Sequence, residues 1–190
     1  MYVISAMFIV YFATQTISPQ LWNSLFWIIS IFGASTAVAK SFFSESENRQ
    51  LFYYQLVKPL EFIFAKIIYN FVFLLFILAA STIIFSVISD VQIQRLRTFV
   101  ICLILGSMSF SIVFSFVSAL ASKTSNKHVI SVVLSFPLLI GVMQLLIRLC
   151  AYCLGIFNDT SYTTDIIYLL CFNSILIALI IFLFPFIWRE

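Results

Sequence analysis

The sequence has few charged side chains for its length, and this shortage excludes a soluble globular fold. Lys, Arg, Asp and Glu together make up 9% of the 190 residues, whereas hydrophobic residues make up 63%. A typical soluble domain has about 25% charged residues, because it must cover its surface with groups that water can solvate. The excess apolar surface must therefore face lipid, and the composition predicts an integral protein of the lipid bilayer.

Several residue patterns that carry chemistry are also missing. The chain has one histidine, His128, and no H-E-x-x-H motif, so a zinc hydrolase within the membrane is excluded. None of the four glycines opens a G-x-x-x-x-G-K loop, so this chain cannot bind ATP in the P-loop manner. The net charge of +3 is too small to indicate nucleic acid as a partner. We expect no catalytic residue, no metal site and no nucleic acid, and we expect any ATPase activity on a separate chain.

The cysteines do not indicate a disulfide framework. Cys150 and Cys153 form a C-x-x-C, but Leu154 stands where a heme-attachment motif needs histidine, and no βαβ pattern surrounds the pair. The other two cysteines, Cys102 and Cys171, are isolated in the sequence. We therefore expect no redox role for these thiols.

Six apolar runs are long enough to cross a bilayer, which takes about 17–25 residues. In lipid every backbone group must be satisfied within its own segment, so each run is predicted to be a helix. The sequence thus predicts a single all-α, polytopic domain over residues 1–190, with six transmembrane helices. The predicted spans are residues 1–17, 21–39, 60–89, 99–121, 129–147 and 166–188.

Charged residues are concentrated in the stretch between the second and third runs. From Ser44 to Asn70 the chain reads SESENRQLFYYQLVKPLEFIFAKIIYN. The helical spacing of its apolar residues predicts a short amphipathic helix at the interface. Pro59 suits the first position of the next helix, and Glu61 lies near the positive end of that helix. The residues alone leave two interpretations open: a connector that lies on lipid headgroups, or a docking element for a soluble partner.

The distribution of basic residues predicts the orientation of the chain. Lys and Arg are enriched in cytoplasmic loops. One side of the membrane carries Lys40, Arg49, Lys58, Lys66, Lys123, Lys127 and Arg189, and the other carries Arg95, Arg97 and Arg148. This bias places both termini and the charged stretch in the cytoplasm.

Two features within the spans are candidates for packing or for a substrate path. Serines follow one stripe of the fourth span, where small hydroxyl side chains allow helices to approach closely. These are Ser107, Ser111, Ser115, Ser118 and Ser122. In the fifth span Pro137 removes a helical hydrogen bond, and with Gly141 it is expected to interrupt the helix. Such breaks occur both in moving segments and in static membrane helices, so the role of this one stays open.

Three segments of the chain resemble the heme exporter protein B family, in particular its versions from Bacteroidetes-like bacteria. The segments are AVAKSFFSESENRQLFYYQLVKPLEFIFAKIIYN (residues 37–70), SFPLLIG (135–141) and LFPFIWRE (183–190). The resemblance implies a six-span permease subunit of a type-2 ABC exporter, which serves c-type cytochrome biogenesis in the bacterial inner membrane. It also implies a cytoplasmic ATPase subunit, a second copy of the chain and other cytochrome c maturation membrane subunits as partners.

The resemblance also implies a role for the charged stretch. In such permeases the loop after the second span is a coupling helix that sits in a cleft of the ATPase subunit, and here that role falls on residues 44–58. The residues expected to couple to the ATPase are Glu45, Glu47, Arg49, Gln50, Tyr53, Lys58, Pro59 and Glu61. Heme is expected as a handled substrate and not as a resident cofactor.

Other functional classes are weighed against this one. A proton- or sodium-coupled carrier usually needs acidic residues or histidine within its spans, and the predicted spans contain none beyond Glu61. A type-2 ABC exporter for a lipid, a polysaccharide or a drug stays open, as does a membrane assembly scaffold that transports nothing. Whether heme itself passes through this subunit, or ATP hydrolysis releases a heme-loaded chaperone, is not determined by these residues.

Overall fold

A computed structural model of the protein describes residues 5, 9, 17–43, 58–89, 91–121, 127–157 and 162–189. This part of the chain contains helices and no strand, as the sequence predicts. Five helices follow one another in an antiparallel bundle, and we number them in chain order. They are α1 (Pro19–Phe43), α2 (Pro59–Ile88), α3 (Leu96–Ala121), α4 (Lys127–Cys153) and α5 (Tyr162–Arg189).

Helix α3 lies at the centre of the bundle. It contacts each of the other four described helices, and its side chains are buried around most of its circumference. The surrounding helices bury one stripe each. In α5 the buried positions are Asp165, Leu169, Asn173, Leu176, Ile180 and Phe184, which recur every three or four residues as one helical face requires.

The outward faces of the surrounding helices are as apolar as their buried faces. Large side chains such as Phe76, Val87 and Phe182 are mostly exposed on the single chain. Four helices are long and apolar enough to cross a membrane in the described part of the chain: Pro59–Ile88, Leu96–Ala121, Val133–Cys153 and Tyr162–Phe186. A bundle with an apolar exterior suits lipid as its solvent.

Aromatic side chains pack α1 against α2 and α3. Phe26 stacks on Trp22 at 5.2 Å and meets Phe85 edge-to-face at 5.4 Å between ring centroids. Trp27 lies against Gly106 of α3, where an added Cβ would be only 2.9 Å from a ring carbon of the indole. Glycine at position 106 therefore permits the close approach of α1 and α3.

The bundle has two ends, which we name by their residues. At the Lys58 end α2 begins, α3 ends, α4 begins and α5 ends. At the Arg95 end α2 ends, the segment 91–95 leads into α3, α4 ends and α5 begins. The predicted topology places the Lys58 end in the cytoplasm and the Arg95 end outside it.

The structure tests part of the predicted topology. Helices α1 to α5 coincide with the predicted second to sixth spans. The first predicted span lies outside the described residues except for Ser5 and Ile9, which are helical, and Ile17. Residues 44–57, where the amphipathic helix was predicted, also lie outside them. Six spans and that helix stay predictions.

The last two helices extend beyond the predicted spans, which corrects an expectation about charge. Helix α4 continues past Ile147 to Cys153, and α5 begins at Tyr162 and not at Ile166. Arg148 and Asp165 therefore lie inside helices that are apolar enough to cross a membrane. The predicted fifth span ends just before Arg148, and the predicted sixth span begins just after Asp165. Both boundaries were placed there because a charged residue interrupts the apolar run.

Candidate functional site

The predicted coupling residues fall into two groups. Glu45, Glu47, Arg49, Gln50 and Tyr53 lie outside the described residues. Lys58, Pro59 and Glu61 are described, and they form the start of α2. Of the predicted docking element, only this start lies within the described residues.

The chain enters α2 through a sharp change in backbone conformation. Lys58 is extended, with φ −68° and ψ 143°, and Pro59 takes a first-turn position of the helix. Proline restricts the residue before it to extended conformations and is itself suited to the start of a helix. The carbonyl of Lys58 accepts the first helical hydrogen bond from the amide of Phe62 at 3.1 Å. The sequence prediction of a helix start at Pro59 is confirmed.

The charges at this start are exposed. Lys58 Nζ lies 3.9 Å from Glu61 Oε1, and both side chains are more than half exposed. An ion pair of this length in water contributes at most about 1 kcal/mol, so it does not lock either side chain. One turn further, Lys66 Nζ lies 5.5 Å from the centroid of the Phe62 ring. Both contacts join residues three or four positions apart at the start of α2.

Helix α2 is longer than a bilayer requires. Its 30 residues span ~45 Å at 1.5 Å per residue, against ~30 Å of hydrocarbon. Because Glu61 and Lys66 lie in its first turns, the excess length is accommodated most easily at the Lys58 end. The start of α2 is then presented to water.

The serine stripe of α3 meets α2 through two hydrogen bonds. Ser111 Oγ donates to the carbonyl oxygen of Ile67 at 2.6 Å, and Asn70 Nδ2 donates to Ser115 Oγ at 3.1 Å. Ser107 Oγ instead donates within its own helix, to the carbonyl of Ile104, and Ser118 is buried. Ser122 lies outside the described residues. The central part of the stripe therefore joins α3 to α2.

Asn70 is a contact residue that the sequence analysis missed. It is 1% exposed, and it lies on the buried stripe of α2. The signal was available, since Asn70 is the only amide side chain between Glu61 and Ser89 of an otherwise apolar run. A lone amide in a membrane span is expected to find a partner on a neighbouring helix.

Pro137 and Gly141 lie away from this contact. The structure keeps α4 helical from Lys127 through Pro137 to Cys153, so the expected interruption does not break the helix. Both residues are exposed, and an added Cβ on Gly141 would meet nothing within 4 Å. They form part of the outer surface of the chain, and their function stays a prediction.

A cluster at the Arg95 end joins the ends of three helices. Arg95 Nη1 donates to the carbonyl of Tyr152 at 2.6 Å, and its guanidinium lies 4.0 Å above the Tyr152 ring. The amide of Arg95 also donates to the carbonyl of Cys153 at 3.2 Å. Tyr152 in turn stacks on Tyr162 at 4.8 Å between ring centroids. Arg95 thus satisfies carbonyls at the end of α4, where a positive charge is favoured by the helix dipole.

The same cluster contains an interhelical ion pair. Arg148 Nη2 of α4 lies 3.4 Å from Asp165 Oδ1 in the first turn of α5. The side chain of Asp165 is 1% exposed, whereas that of Arg148 is 51% exposed. The sequence analysis counted Arg148 only as a loop residue and did not consider Asp165. We call Arg95, Arg148, Tyr152, Tyr162 and Asp165 the clasp.

The described residues offer no obvious site for a metal ion. They contain no group of three or more His, Cys, Asp or Glu side chains that could hold one. Cys150 and Cys153 lie in the last turn of α4 as free, buried thiols, and Cys102 of α3 is also buried.

Comparison with known proteins assigns the chain to a family. The family model described as CcmB protein matches residues 7–189. A search of curated proteins found no match. A search of solved structures likewise found none. Since the family match covers nearly the whole chain and the helices suit a membrane, the protein belongs to the CcmB, or heme exporter protein B, family of multi-pass permease components for heme export in c-type cytochrome biogenesis.

Proposed function

We propose that this chain is the membrane-embedded half of an ATP-driven complex of the bacterial inner membrane. Two copies act with two cytoplasmic ATPase subunits and with other cytochrome c maturation subunits, and both termini face the cytoplasm. The observation that carries the proposal is the family match over residues 7–189, which implies a permease component. No residue of this chain is proposed to act in catalysis.

Residues 44–58 are proposed to dock on the ATPase. The described part of this element supports the assignment, because Lys58 and Glu61 are exposed and form an ion pair with each other at the start of α2. Closure of the ATPases on ATP would push on this element. The push would reach α2 at Pro59, where the backbone passes from extended to helical.

The hydrogen bonds between α2 and α3 offer a route for this movement into the bundle. Asn70 and Ile67 lie about three turns into α2 and bond to Ser115 and Ser111 of the central helix. A tilt of α2 would therefore move α3, which contacts every other described helix. The movement would either carry heme across the membrane or release a heme-loaded chaperone from companion subunits.

The test is a charge reversal at Glu45, Glu47 and Arg49 in the full chain, expressed with its native partners. We expect normal membrane insertion, loss of the co-purifying ATPase and loss of c-type cytochromes. Arg97→Glu is the control, since it reverses an exposed charge at the opposite end of the bundle. If the triple variant retained its ATPase at full yield and with normal hydrolysis, the docking assignment would be wrong.

Identification of the proteins and porphyrin that co-purify in mild detergent separates the functions that the sequence left open. An exporter of a lipid or polysaccharide would bring an ATPase, and its loss would cause no cytochrome defect. A scaffold would bring partner subunits without any change in the complex on addition of ATP. We expect an ATPase, and we expect its loss to cause a cytochrome defect.

A further inference from the structure

The clasp joins the Arg95 ends of α3, α4 and α5. Arg95, in the segment that leads into α3, contacts the end of α4. The end of α4 contacts the start of α5 twice, through the Tyr152–Tyr162 stack and through the Arg148–Asp165 ion pair. At the Arg95 end, the start of α3 is therefore connected to the end of α4, and the end of α4 to the start of α5.

The burial of Asp165 makes this connection difficult to open. Neither carboxylate oxygen has a hydrogen-bond partner, and Arg148 is the counter-charge that the described residues provide. Separation of α5 from α4 would take the counter-charge away from Asp165, which is strongly unfavourable wherever the carboxylate stays buried or enters lipid. Arg148 is half exposed, so water can solvate it even without its partner.

The backbone at the end of α4 adds a contact that side-chain rotation cannot release, because the amide of Arg95 donates to the carbonyl of Cys153 at 3.2 Å. Gly155 has φ +73°, and the amide of Ile156 donates to the carbonyl of Ala151 at 3.0 Å, which closes a Schellman motif. An added Cβ on Gly155 would overlap the side-chain amide of Gln94. The segment before α3 therefore packs directly against the turn that ends α4.

We propose that the clasp holds the Arg95 ends of α3, α4 and α5 together as one rigid unit throughout the working cycle. In this proposal the Arg95 end is a pivot and does not open as a gate, and the helices move relative to one another at the Lys58 end. The inference goes beyond the permease assignment, because it concerns which end of the bundle can move and does not depend on the substrate.

The test measures distances between spin labels at the two ends. Leu96 and Thr163 are exposed at the Arg95 ends of α3 and α5, and Ala65 and Phe186 are exposed near the Lys58 ends of α2 and α5. Each pair is replaced by cysteine and labelled in the complete complex, in lipid nanodiscs. Of the four native cysteines only Cys171 is exposed, so Cys171→Ala removes the accessible background thiol.

We expect the Leu96–Thr163 distance to stay narrow and unchanged between nucleotide-free protein and protein trapped with ATP and vanadate. Arg148→Gln should broaden this distribution at least twofold. Tyr152→Leu removes both the stack on Tyr162 and the ring under Arg95, and it should broaden the Leu96–Thr163 distribution less. This second variant keeps the test valid if Arg148→Gln fails to fold. Arg97→Gln, an exposed arginine next to the label, should leave it unchanged.

The outcomes separate this inference from the proposed function. Lengthening of the Leu96–Thr163 distance on ATP trapping would overturn the pivot and make the clasp a gate. A distribution in both clasp variants as narrow as in the wild-type sequence would also overturn it. If the Ala65–Phe186 distance failed to change, the proposed ATP coupling and the movement at the Lys58 end would both be wrong. A narrow Leu96–Thr163 distance that broadens in Arg148→Gln would then still show that the clasp holds the Arg95 end rigid.

Discussion

The two ends of the bundle hold their charged residues in opposite ways. At the Lys58 end, Lys58 and Glu61 pair with each other at the start of α2, and both side chains are more than half exposed. At the Arg95 end, Arg95 and Arg148 contact residues of other helices, and one of those partners is the buried Asp165. The exposed Lys58–Glu61 pair adds no link between helices, whereas the Arg148–Asp165 pair joins α4 to α5. Charged residues are thus exposed to water at one end of the bundle and shared between helices at the other.

The largest expected effect comes from removal of the arginine of the buried ion pair. Arg148→Gln leaves Asp165 without its counter-charge and should destabilise the protein by about 3 kcal/mol. Asp165→Asn should have a much smaller effect, because Arg148 is half exposed and can be solvated. Thermal unfolding of the detergent-purified protein measures both. In the double variant, Asp165→Asn should recover most of the stability that Arg148→Gln loses; equal losses in the two single variants would contradict the ion-pair account.

A smaller effect is expected where α1 packs on α3. Gly106→Ala would place a Cβ 2.9 Å from the Trp27 ring, and such overpacking costs about 1–3 kcal/mol. Gly141→Ala is the matched control, since nothing lies within 4 Å of the new Cβ and alanine favours a helix by at most about 1 kcal/mol. The same unfolding measurement should show a loss for the first variant and no loss for the second. Similar free energies of unfolding for the two variants would contradict the close packing of Trp27 against Gly106.

A third effect concerns the connection between the two ends. Asn70→Leu removes the hydrogen bond to Ser115 and should destabilise the bundle by only about 0.6 kcal/mol, the usual size of such bonds between membrane helices. If α2 drives α3 through this bond, the variant should nevertheless reduce ATP-dependent c-type cytochrome formation by more than its stability loss explains. Ser107→Ala is the control, because Ser107 bonds only within α3. Equal cytochrome levels in the two variants would argue against this route.

The smallest effect on stability is expected at the Lys58 end. Lys58→Ala with Glu61→Ala removes an exposed pair 3.9 Å apart and should change the free energy of unfolding by less than about 0.5 kcal/mol. The amount of ATPase that co-purifies should fall if this end docks a partner. A large loss of stability would mean that contacts between helices hold the Lys58 end as they hold the Arg95 end. The contrast between the two ends would then disappear.

The sequence located most helices because their signals are local. Pro59 fixes the start of α2 through its own ring and its effect on Lys58, and both appear in the structure where the sequence placed them. The second to sixth apolar runs likewise coincide with α1 to α5, since backbone groups in lipid must bond within their own segment.

The clasp could not be derived in the same way. Arg148 directly follows one apolar run, and Asp165 directly precedes the next. In the sequence, both therefore have the pattern of a loop residue next to a span. Their assignment changes only because α4 and α5 pack side by side and bring the two charges within 3.4 Å. The hydrogen bond between Asn70 and Ser115 could not be predicted from the sequence for the same reason, since the two residues lie 45 positions apart.

By itself, the sequence determined that this is a helical membrane protein with its charges gathered in a few places, because composition sets the solvent and lipid permits few backbone forms. Only the tertiary structure decided that α3 is the centre, that Gly106 admits Trp27 and that Asp165 is buried against Arg148. These properties depend on which faces of separate helices meet. That is set by the packing of side chains distant in the sequence, and no local pattern specifies it.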